Sequence, residues 1–271
     1  MKTPLRYPGG KSRALKHILP LIPKDCGELC SPFLGGGSVE LAVAARGTKV
    51  YGFDIFEPIV WFWRSLLSEP NKLADLADSH RVQNTYIYKG ESVVAHGLPQ
   101  ADFVRFRKEI SDDLKNKKGF SHERAAKVYA INRSSFSGAT FSGGFSERAS
   151  YARFTDSSID RIRKFKQPNL TVRCADFKVS IEAHPDTFLY LDPPYLLEDK
   201  KNRLYGDKGS THNAFDHEGL HAILTTRHGW ILSYNDCQQI RDMYKNYEIR
   251  DAHWAYGMNK SKKSSEIIII G

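Results

Sequence analysis

Short apolar runs alternate with amphipathic stretches in the first 58 residues and again after residue 169. The runs at 28–30 and 50–53 predict strands, and the apolar positions of 39–45 between them predict a helix. After residue 169, the same alternation predicts further strands at 170–172, 188–191, 230–233 and 266–270. Strands that alternate with helices in this way are typical of an open α/β sheet.

The pattern changes between residues 59 and 169. Apolar residues recur there at helical spacing around 103–114 and 125–129, so this region is predicted to be mostly helical. The chain contains no internal repeat. We therefore predict one α/β domain formed by residues 1–58 and 170–271, which is interrupted by a helical insert formed by residues 59–169.

The charge of the chain indicates what kind of partner to expect. Lys and Arg total 40 against 31 Asp and Glu, which gives a formal net charge of +9. A basic balance favours a polyanionic partner, most simply nucleic acid. The chain shows neither a membrane-spanning run nor a signal peptide, so we expect a cytoplasmic, DNA-associated protein with no membrane partner. The four cysteines and ten histidines lack metal-ligand spacing, so we also expect no metal.

The most informative segment is the apolar run 188–191 followed by Asp192, Pro193, Pro194 and Tyr195. A strand that ends in these residues places them at the carboxyl edge of the sheet, where α/β proteins bind ligands. The Asp192 carboxylate and a proline carbonyl can accept both hydrogens of an exocyclic amino group. Because Tyr195 adds a face for stacking, the segment suits an amino group carried on a flat heterocycle.

A second candidate site combines a glycine loop with an acid. The predicted strand at 28–30 leads into Gly35, Gly36 and Gly37, and the next strand ends in Asp54. Glycines let the backbone approach a ligand closely, and a carboxylate in this position can accept ribose hydroxyls. No Gly-Lys-Ser/Thr follows the loop, which favours an adenosine ligand without phosphates, such as S-adenosylmethionine. An ordinary tight turn and a helix-capping Asp54 are the alternatives.

A third candidate lies at the N-terminus, where Tyr7 and Pro8 precede Gly9, Gly10 and Lys11. Lys11 could meet the methionine carboxylate of such a ligand while the glycine backbone closes over it. The alternative is an exposed turn with a solvated lysine.

Taken together, these motifs resemble the Dam-like, D12-class family of DNA adenine-N6 methyltransferases with the alpha-group motif order. The resemblance spans the whole chain, and the insert carries the least of it. The matching segments are the opening cofactor motif at 7–11, the cofactor loop at 32–38, the acid at Asp54, the pair Asp176 and Phe177 that flanks adenine, the catalytic tetrapeptide at 192–195, and a closing hairpin at 259–263 with Glu266.

The resemblance implies a Rossmann-like methyltransferase sheet with a mostly helical target-recognition insert, and S-adenosyl-L-methionine as cofactor. The residues implied to bind the cofactor are Tyr7, Gly9, Gly10, Lys11, Phe33, Leu34, Gly35, Gly36, Gly37, Ser38, Asp54, Ile55, Asp176, Phe177 and Asp192. The implied catalytic residues are Asp192, Pro193, Pro194 and Tyr195.

The insert is expected to contact DNA. Its segment 132–145 is rich in Ser, Gly and Phe, which predicts a binding loop or hairpin. The candidate DNA contacts are Asn132, Arg133, Ser134, Ser135, Arg148 and Arg153. The alternative is that Arg133 caps a helix and the serines are solvated. The polar segment 196–215 is expected to form a lid over a flipped base.

We therefore predict a site-specific enzyme that transfers a methyl group from S-adenosyl-L-methionine to N6 of an adenine flipped out of duplex DNA. A prokaryotic or phage context and a monomer are favoured. The alternatives are the same fold acting on cytosine N4, RNA or protein glutamine, or an inactive DNA-binding protein. Asp192 favours adenine, because cytosine-N4 enzymes usually carry Ser and glutamine methyltransferases Asn at this position.

Overall fold

The computed structural model describes residues 2–196, 215–255 and 263–271. The predicted lid, apart from its two end residues, and residues 259–262 of the predicted closing hairpin lie outside the described residues. The chain packs as two compact units. The first comprises Met1–Thr3, Gly9–Ile55 and Gln167–Gly271, and the second comprises Pro4–Pro8 and Phe56–Lys166.

The first unit is built on a seven-stranded sheet in the order β5-β2-β1-β6-β7-β9-β8. Its strands are β1 (Glu28–Ser31), β2 (Lys49–Asp54), β5 (Leu170–Cys174), β6 (Phe188–Leu191), β7 (Trp230–Asn235), β8 (Glu248–Ala255) and β9 (Lys263–Ile270). The first five strands of that order pair in parallel, whereas β9 runs antiparallel to β7 and to β8. The predicted open α/β sheet is therefore confirmed.

The strand order reverses direction at β1, which pairs with β2 on one side and with β6 on the other. Such a reversal opens a crevice beyond the carboxyl ends of the two central strands, where open α/β sheets bind ligands. The loops after β1, β2 and β6 thus emerge side by side at one edge of the sheet. This edge carries the predicted glycine loop, Asp54 and Asp192.

Burial on both faces explains why the central strands are continuous apolar runs. All but the last residue of β7 are buried, and Leu232 packs in one core with Ile267 and Ile269 of β9. The sequence pattern did not predict β8, because this edge strand carries charged residues such as Arg250 and Asp251. The helices of this unit are α1 (Leu15–Ile18), α2 (Ser38–Ala44), α9 (Phe177–Glu182), α10 (His217–Leu224) and α11 (Gln238–Met243).

The second unit is mostly helical, with one hairpin that the helical pattern did not predict. Its helices are α3 (Glu57–Ser68), α4 (Pro70–Asp78), α5 (Gln100–Lys115), α6 (His122–Ser134), α7 (Glu147–Arg153) and α8 (Asp156–Arg163). The hairpin pairs β3 (Val82–Tyr88) with β4 (Glu91–Gly97). Lys89 and Gly90 form its two-residue loop, and both adopt positive φ, which suits the right-handed twist of a hairpin.

A short N-terminal segment belongs to this second unit because Arg6 is hydrogen bonded to the end of α6. The Arg6 amide donates to Asn132 Oδ1 at 3.0 Å, and Asn132 Nδ2 donates back to the Arg6 carbonyl at 2.7 Å. The predicted cofactor motif at 7–11 is therefore divided between the two units, with the boundary between Pro8 and Gly9. Catalysis and cofactor binding by residues 1–58 and 170–271, and target recognition by residues 59–169, stay predictions.

In the part of the chain that the structure describes, no helix is both long enough and apolar enough to span a bilayer.

Candidate active site

The glycine loop after β1 is held in place by the acid that ends β2. The Gly35 amide donates to Asp54 Oδ2 at 2.9 Å, and the Leu34 amide donates to the Phe53 carbonyl at 2.8 Å. Gly35 and Gly37 adopt φ of 46° and 64°, in the left-handed region that favours glycine. The Asp54 carboxylate therefore contacts the loop directly, and it does not cap α3, whose N-cap residue is Phe56.

Aromatic side chains lie on one flank of this loop. The rings of Phe33 and Phe177 stack with centroids 5.8 Å apart, and Phe215 contacts both. Asp176, predicted to flank adenine together with Phe177, caps α9 by accepting a hydrogen bond from the Lys178 amide. Ile55, directly after Asp54, keeps 57% of its surface exposed. An exposed apolar side chain beside a carboxylate suits a ligand that has an apolar ring and hydroxyl groups.

Lys11 is buried against the motif that follows β6. Only 4% of its surface is exposed, and its Nζ lies 2.7 Å from Asp192 Oδ1. The same ammonium donates to the Tyr195 hydroxyl at 2.8 Å and to the Gly9 carbonyl at 3.1 Å. These three acceptors match its three hydrogens. Lys11 is thus not a solvated surface residue, and its contact with the predicted catalytic acid was not anticipated from the sequence.

Two further carboxylates surround this pair, and the sequence analysis gave neither a role. Glu266 at the start of the isoleucine run places Oε2 3.8 Å from Lys11 Nζ. Glu40 on α2 accepts a hydrogen bond from the Ser31 hydroxyl at 2.6 Å. The only signal in the sequence was an isolated acid within each apolar segment.

Burial controls the protonation of these carboxyl groups. It raises the pKa of Asp192 above its ordinary value, and the adjacent Lys11 ammonium opposes that rise. Burial also raises the pKa of Glu40 to about 7, although the Ser31 hydroxyl opposes the rise. For Glu266, burial raises the pKa to about 7 against the opposing effect of Lys11. Among the described residues, Lys11 thus contributes a cation and Asp192, Glu40 and Glu266 contribute carboxyl groups to a poorly hydrated environment.

Four of the predicted DNA contacts have internal roles in the second unit. Asn132, Arg133, Ser134 and Ser135 are all buried. Arg133 Nε donates to the Arg153 carbonyl at 2.7 Å and Nη1 donates to the Pro4 carbonyl at 3.3 Å. Hydrogen bonds of Asn132, Arg133 and Ser135 to backbone groups thus hold the end of α6, and the contacts with DNA predicted for all four residues stay predictions. Of the alternative, the helix cap fits, because Arg153 is the last residue of α7, whereas the solvated serines do not, because Ser134 and Ser135 are buried.

The other two predicted DNA contacts are placed differently. Arg148 and Arg153 both lie on α7 and are exposed. Their predicted contact with DNA stays a prediction. Within the described residues, no group of three or more His, Cys, Asp or Glu side chains is arranged to hold a metal ion.

The parallel sheet, with its glycine loop and its acid-proline-proline-tyrosine motif at one edge, has the Rossmann-like architecture of a methyltransferase. The model of the family described as D12 class N6 adenine-specific DNA methyltransferase matches residues 7–258, so the chain belongs to that family. It is similar to the type II methyltransferase M1.LlaDCHI of Lactococcus lactis subsp. cremoris. The two are 22% identical over 271 residues, which cover 97% of this chain and 82% of the relative.

The protein is accordingly a site-specific DNA methyltransferase that modifies adenine at N6. This agrees with the prediction made from Asp192. Cytosine N4, RNA and protein glutamine are not the substrates that the family describes.

Neutralising Glu40 should change how stability depends on pH. Because the pKa of this carboxyl is raised from 4.5 to about 7 in the folded state, the stability that its neutral form provides is present below about pH 4.5 and is lost as pH rises from there through about 7. We expect Glu40→Gln to raise the free energy of unfolding near pH 8 by about 2 kcal/mol, with little effect near pH 4. Urea unfolding at both values measures this. Equal effects at both values would contradict the assignment.

Replacing Asn132 should destabilise the second unit. Its side chain, 1% exposed, satisfies both backbone polar groups of Arg6 and also donates to the Gly138 carbonyl and to Thr140 Oγ1. We expect Asn132→Ala to lower the free energy of unfolding by about 3 kcal/mol, because buried groups lose their partners. The exposed Asn84 is the control. A variant that loses DNA binding at unchanged stability would contradict this structural role and support the predicted contact with DNA.

Proposed function

We propose that S-adenosyl-L-methionine is the methyl donor and that the acceptor is an adenine rotated out of double-stranded DNA. The donor supplies an electrophilic methyl group. Inside a duplex the N6 amino group is paired and stacked, so the base must leave the helix to reach the residues after β6. The observation that carries the proposal is the Lys11–Asp192 pair beside the glycine loop and Asp54.

The residues after β1 and β2 fit this donor. The Gly35–Gly37 backbone lies at the carboxyl edge without side chains that would obstruct a ligand. Asp54 offers carboxylate oxygens suited to ribose hydroxyls, and the exposed Ile55 offers an apolar surface suited to the adenine ring of the cofactor. The stacked rings of Phe33 and Phe177 would form one side of this cofactor site. We assign these residues to the cofactor and keep Tyr7, Gly9, Gly10, Leu34, Ser38 and Asp176 as further candidates.

Asp192 and the Pro193 carbonyl are assigned to the target base. Both accept hydrogen bonds, so together they bind the two N6 hydrogens and favour a pyramidal nitrogen whose lone pair points away from the ring. Asp192 must be ionised for this role. Lys11 stabilises that ionised form at 2.7 Å and fixes the position of the carboxylate. Because Asp192 keeps 21% of its side chain exposed, the carboxylate is within reach of an incoming base.

Tyr195 combines a stacking surface with a fixed hydroxyl. Its hydroxyl accepts from Lys11, and the Lys11 ammonium lies 5.1 Å from the ring centroid. The ring is thereby held beside Asp192, where it supports a flat base by stacking. Positioning of the amino group and the methyl group in this way supplies much of the rate.

We assign the contacts with the DNA backbone to exposed cationic side chains of the second unit. Arg148 and Arg153 on α7 suit phosphate contacts, which position a protein on a duplex without reading its sequence. The net charge of +9 is consistent with this partner. We also keep the prediction that the enzyme works as a monomer.

The variant Asp192→Ala tests the assignment of the catalytic acid. We expect it to lower the rate of methyl transfer by about 10³-fold or more, because the N6 hydrogens lose a charged acceptor. The assay uses methyl-labelled S-adenosylmethionine and adenine-containing duplex DNA, followed by mass spectrometry of the nucleosides.

The exposed Asp186, which precedes β6, provides the matched control as Asp186→Ala. That variant should retain the wild-type rate. Near-normal formation of N6-methyladenine by Asp192→Ala would refute the role given to Asp192. A label found only with single-stranded DNA would refute the duplex substrate.

A further inference from the structure

Glu266 is a buried carboxyl group that the methyl-transfer chemistry above does not use. It is 2% exposed and sits on β9 opposite Asn235 at the carboxyl end of β7. Neither of its carboxyl oxygens makes a hydrogen bond of ordinary geometry to a described residue, although the Tyr195 hydroxyl interacts with the group. Among the described residues, it forms an ion pair with Lys11, whose Nζ lies 3.8 Å from Oε2.

A carboxyl group placed in this way costs free energy, because burial without hydrogen bonds is unfavourable for either protonation state and most unfavourable for the ionised one. It is not needed to neutralise Lys11, since Asp192 already does so at 2.7 Å. A glutamine or an apolar residue of similar size would avoid the cost of burying a charge. The position of Glu266 therefore suggests a function for its ability to bind a proton.

Methyl transfer to an amino group releases a proton, and this inference rests on the function proposed above. As the bond between N6 and the methyl group forms, the bond between sulfur and methyl breaks and its electron pair stays on sulfur. N6 must then lose one hydrogen as a proton. The Asp192 carboxylate accepts a hydrogen bond from one N6 hydrogen, so it is the first group that can take this proton. With a base stacked on Tyr195, the exposed side of Asp192 is covered, and Lys11 is the neighbour that remains on its buried side.

We propose that Glu266 stores the proton released by methyl transfer and receives it through Lys11. Asp192 takes the proton from N6, Lys11 passes one of its own protons to Glu266, and Asp192 returns its proton to Lys11. Asp192 is thus ionised and Lys11 charged again, and Glu266 is neutral until the product leaves. To reach hydrogen-bond distance from Glu266 Oε2, which is now 3.8 Å away, Lys11 Nζ must give up one of its three present acceptors and shift by about 1 Å.

The groups that face Glu266 agree with this role. Burial and the negative Asp192 raise its pKa to about 7, whereas Lys11 and the Tyr195 hydroxyl oppose the rise. Tyr190, buried on β6, is a further ionisable group that interacts with it among the described residues, and it stays neutral because burial raises its own pKa well above 10. Glu266 is thus a stronger base than an ordinary carboxylate and still gives up its proton near neutral pH.

Glu266 acts through Lys11 and is a positioning residue, so its test needs a pH profile. The experiment measures single-turnover methyl transfer from saturating S-adenosylmethionine to duplex DNA between about pH 6 and about pH 8. We expect the wild-type rate constant to rise with pH through about 7, as Glu266 becomes ionised. Glu266→Gln should be about 10²-fold slower near pH 8 and should show no rise across this range.

Glu248→Gln is the matched control, because Glu248 lies on β8 opposite Ile270 at the far end of β9, and its side chain is exposed. It should keep the rise with pH. A Glu266→Gln variant that keeps the wild-type rise overturns the proposal, as does a wild-type rate that is constant across the range. A constant wild-type rate can be observed without any variant. If Glu266→Gln fails to fold, Glu266→Asp replaces it in the test. This variant retains a carboxyl group, so its rate constant should still rise with pH.

Measurements on the wild-type protein distinguish a failure of the proposed function from a failure of the proton role of Glu266. A wild-type protein that forms no N6-methyladenine refutes the proposed function, and the proton role with it. A wild-type protein that methylates adenine with a pH profile independent of Glu266 refutes the proton role alone.

Discussion

The Lys11 side chain brings a positive charge into a region where only 4% of the residue is exposed, and the arrangement of the carboxyl edge depends on it. Burial alone would push the pKa of Asp192 upwards and leave a neutral acid, a weaker acceptor for an amino group. The ammonium opposes that shift and, through the Tyr195 hydroxyl and the Gly9 carbonyl, ties the N-terminal glycines to the motif after β6. A point charge with three donors can hold all three partners, which a neutral side chain of the same length cannot.

The sheet makes this pairing possible. Because β1 lies between β2 and β6, the loops that carry Gly35, Asp54 and Asp192 emerge next to each other although they are far apart in sequence. The hydrogen bond from the Gly35 amide to Asp54 then shapes the loop for a ligand. The antiparallel β9 adds Glu266 to the same edge, because its first residues lie opposite the last residues of β7. One edge thus collects residues from the N-terminus, the middle and the C-terminal strand of the chain.

Much of this could be predicted from local pattern, and the failures have physical causes. The strands at 28–30, 50–53, 188–191 and 230–233 are apolar runs because both faces of the sheet are covered, so their sequence signal was strong. Strand β8 and the hairpin of β3 and β4 are exposed and partly polar, so their signal was weak. The segment 132–145 was predicted to be a binding loop or hairpin, yet its first residues Asn132 and Arg133 satisfy backbone groups of residues 4–6 and 153, which no local pattern reveals. Glu266 was seen only as part of a closing hairpin, since its importance depends on its distance to Lys11.

The most direct test of the central role of Lys11 is the pH profile of methyl transfer by Lys11→Met, which keeps the length of the side chain and removes its charge. Without the ammonium, the pKa of Asp192 should rise further, because burial acts unopposed by its nearest cation. We expect a rate about 10²-fold or more below wild type near pH 7, with the remaining activity shifted to higher pH, while the variant still binds duplex DNA. A Lys11→Met enzyme with the rate and pH profile of the wild type would contradict it.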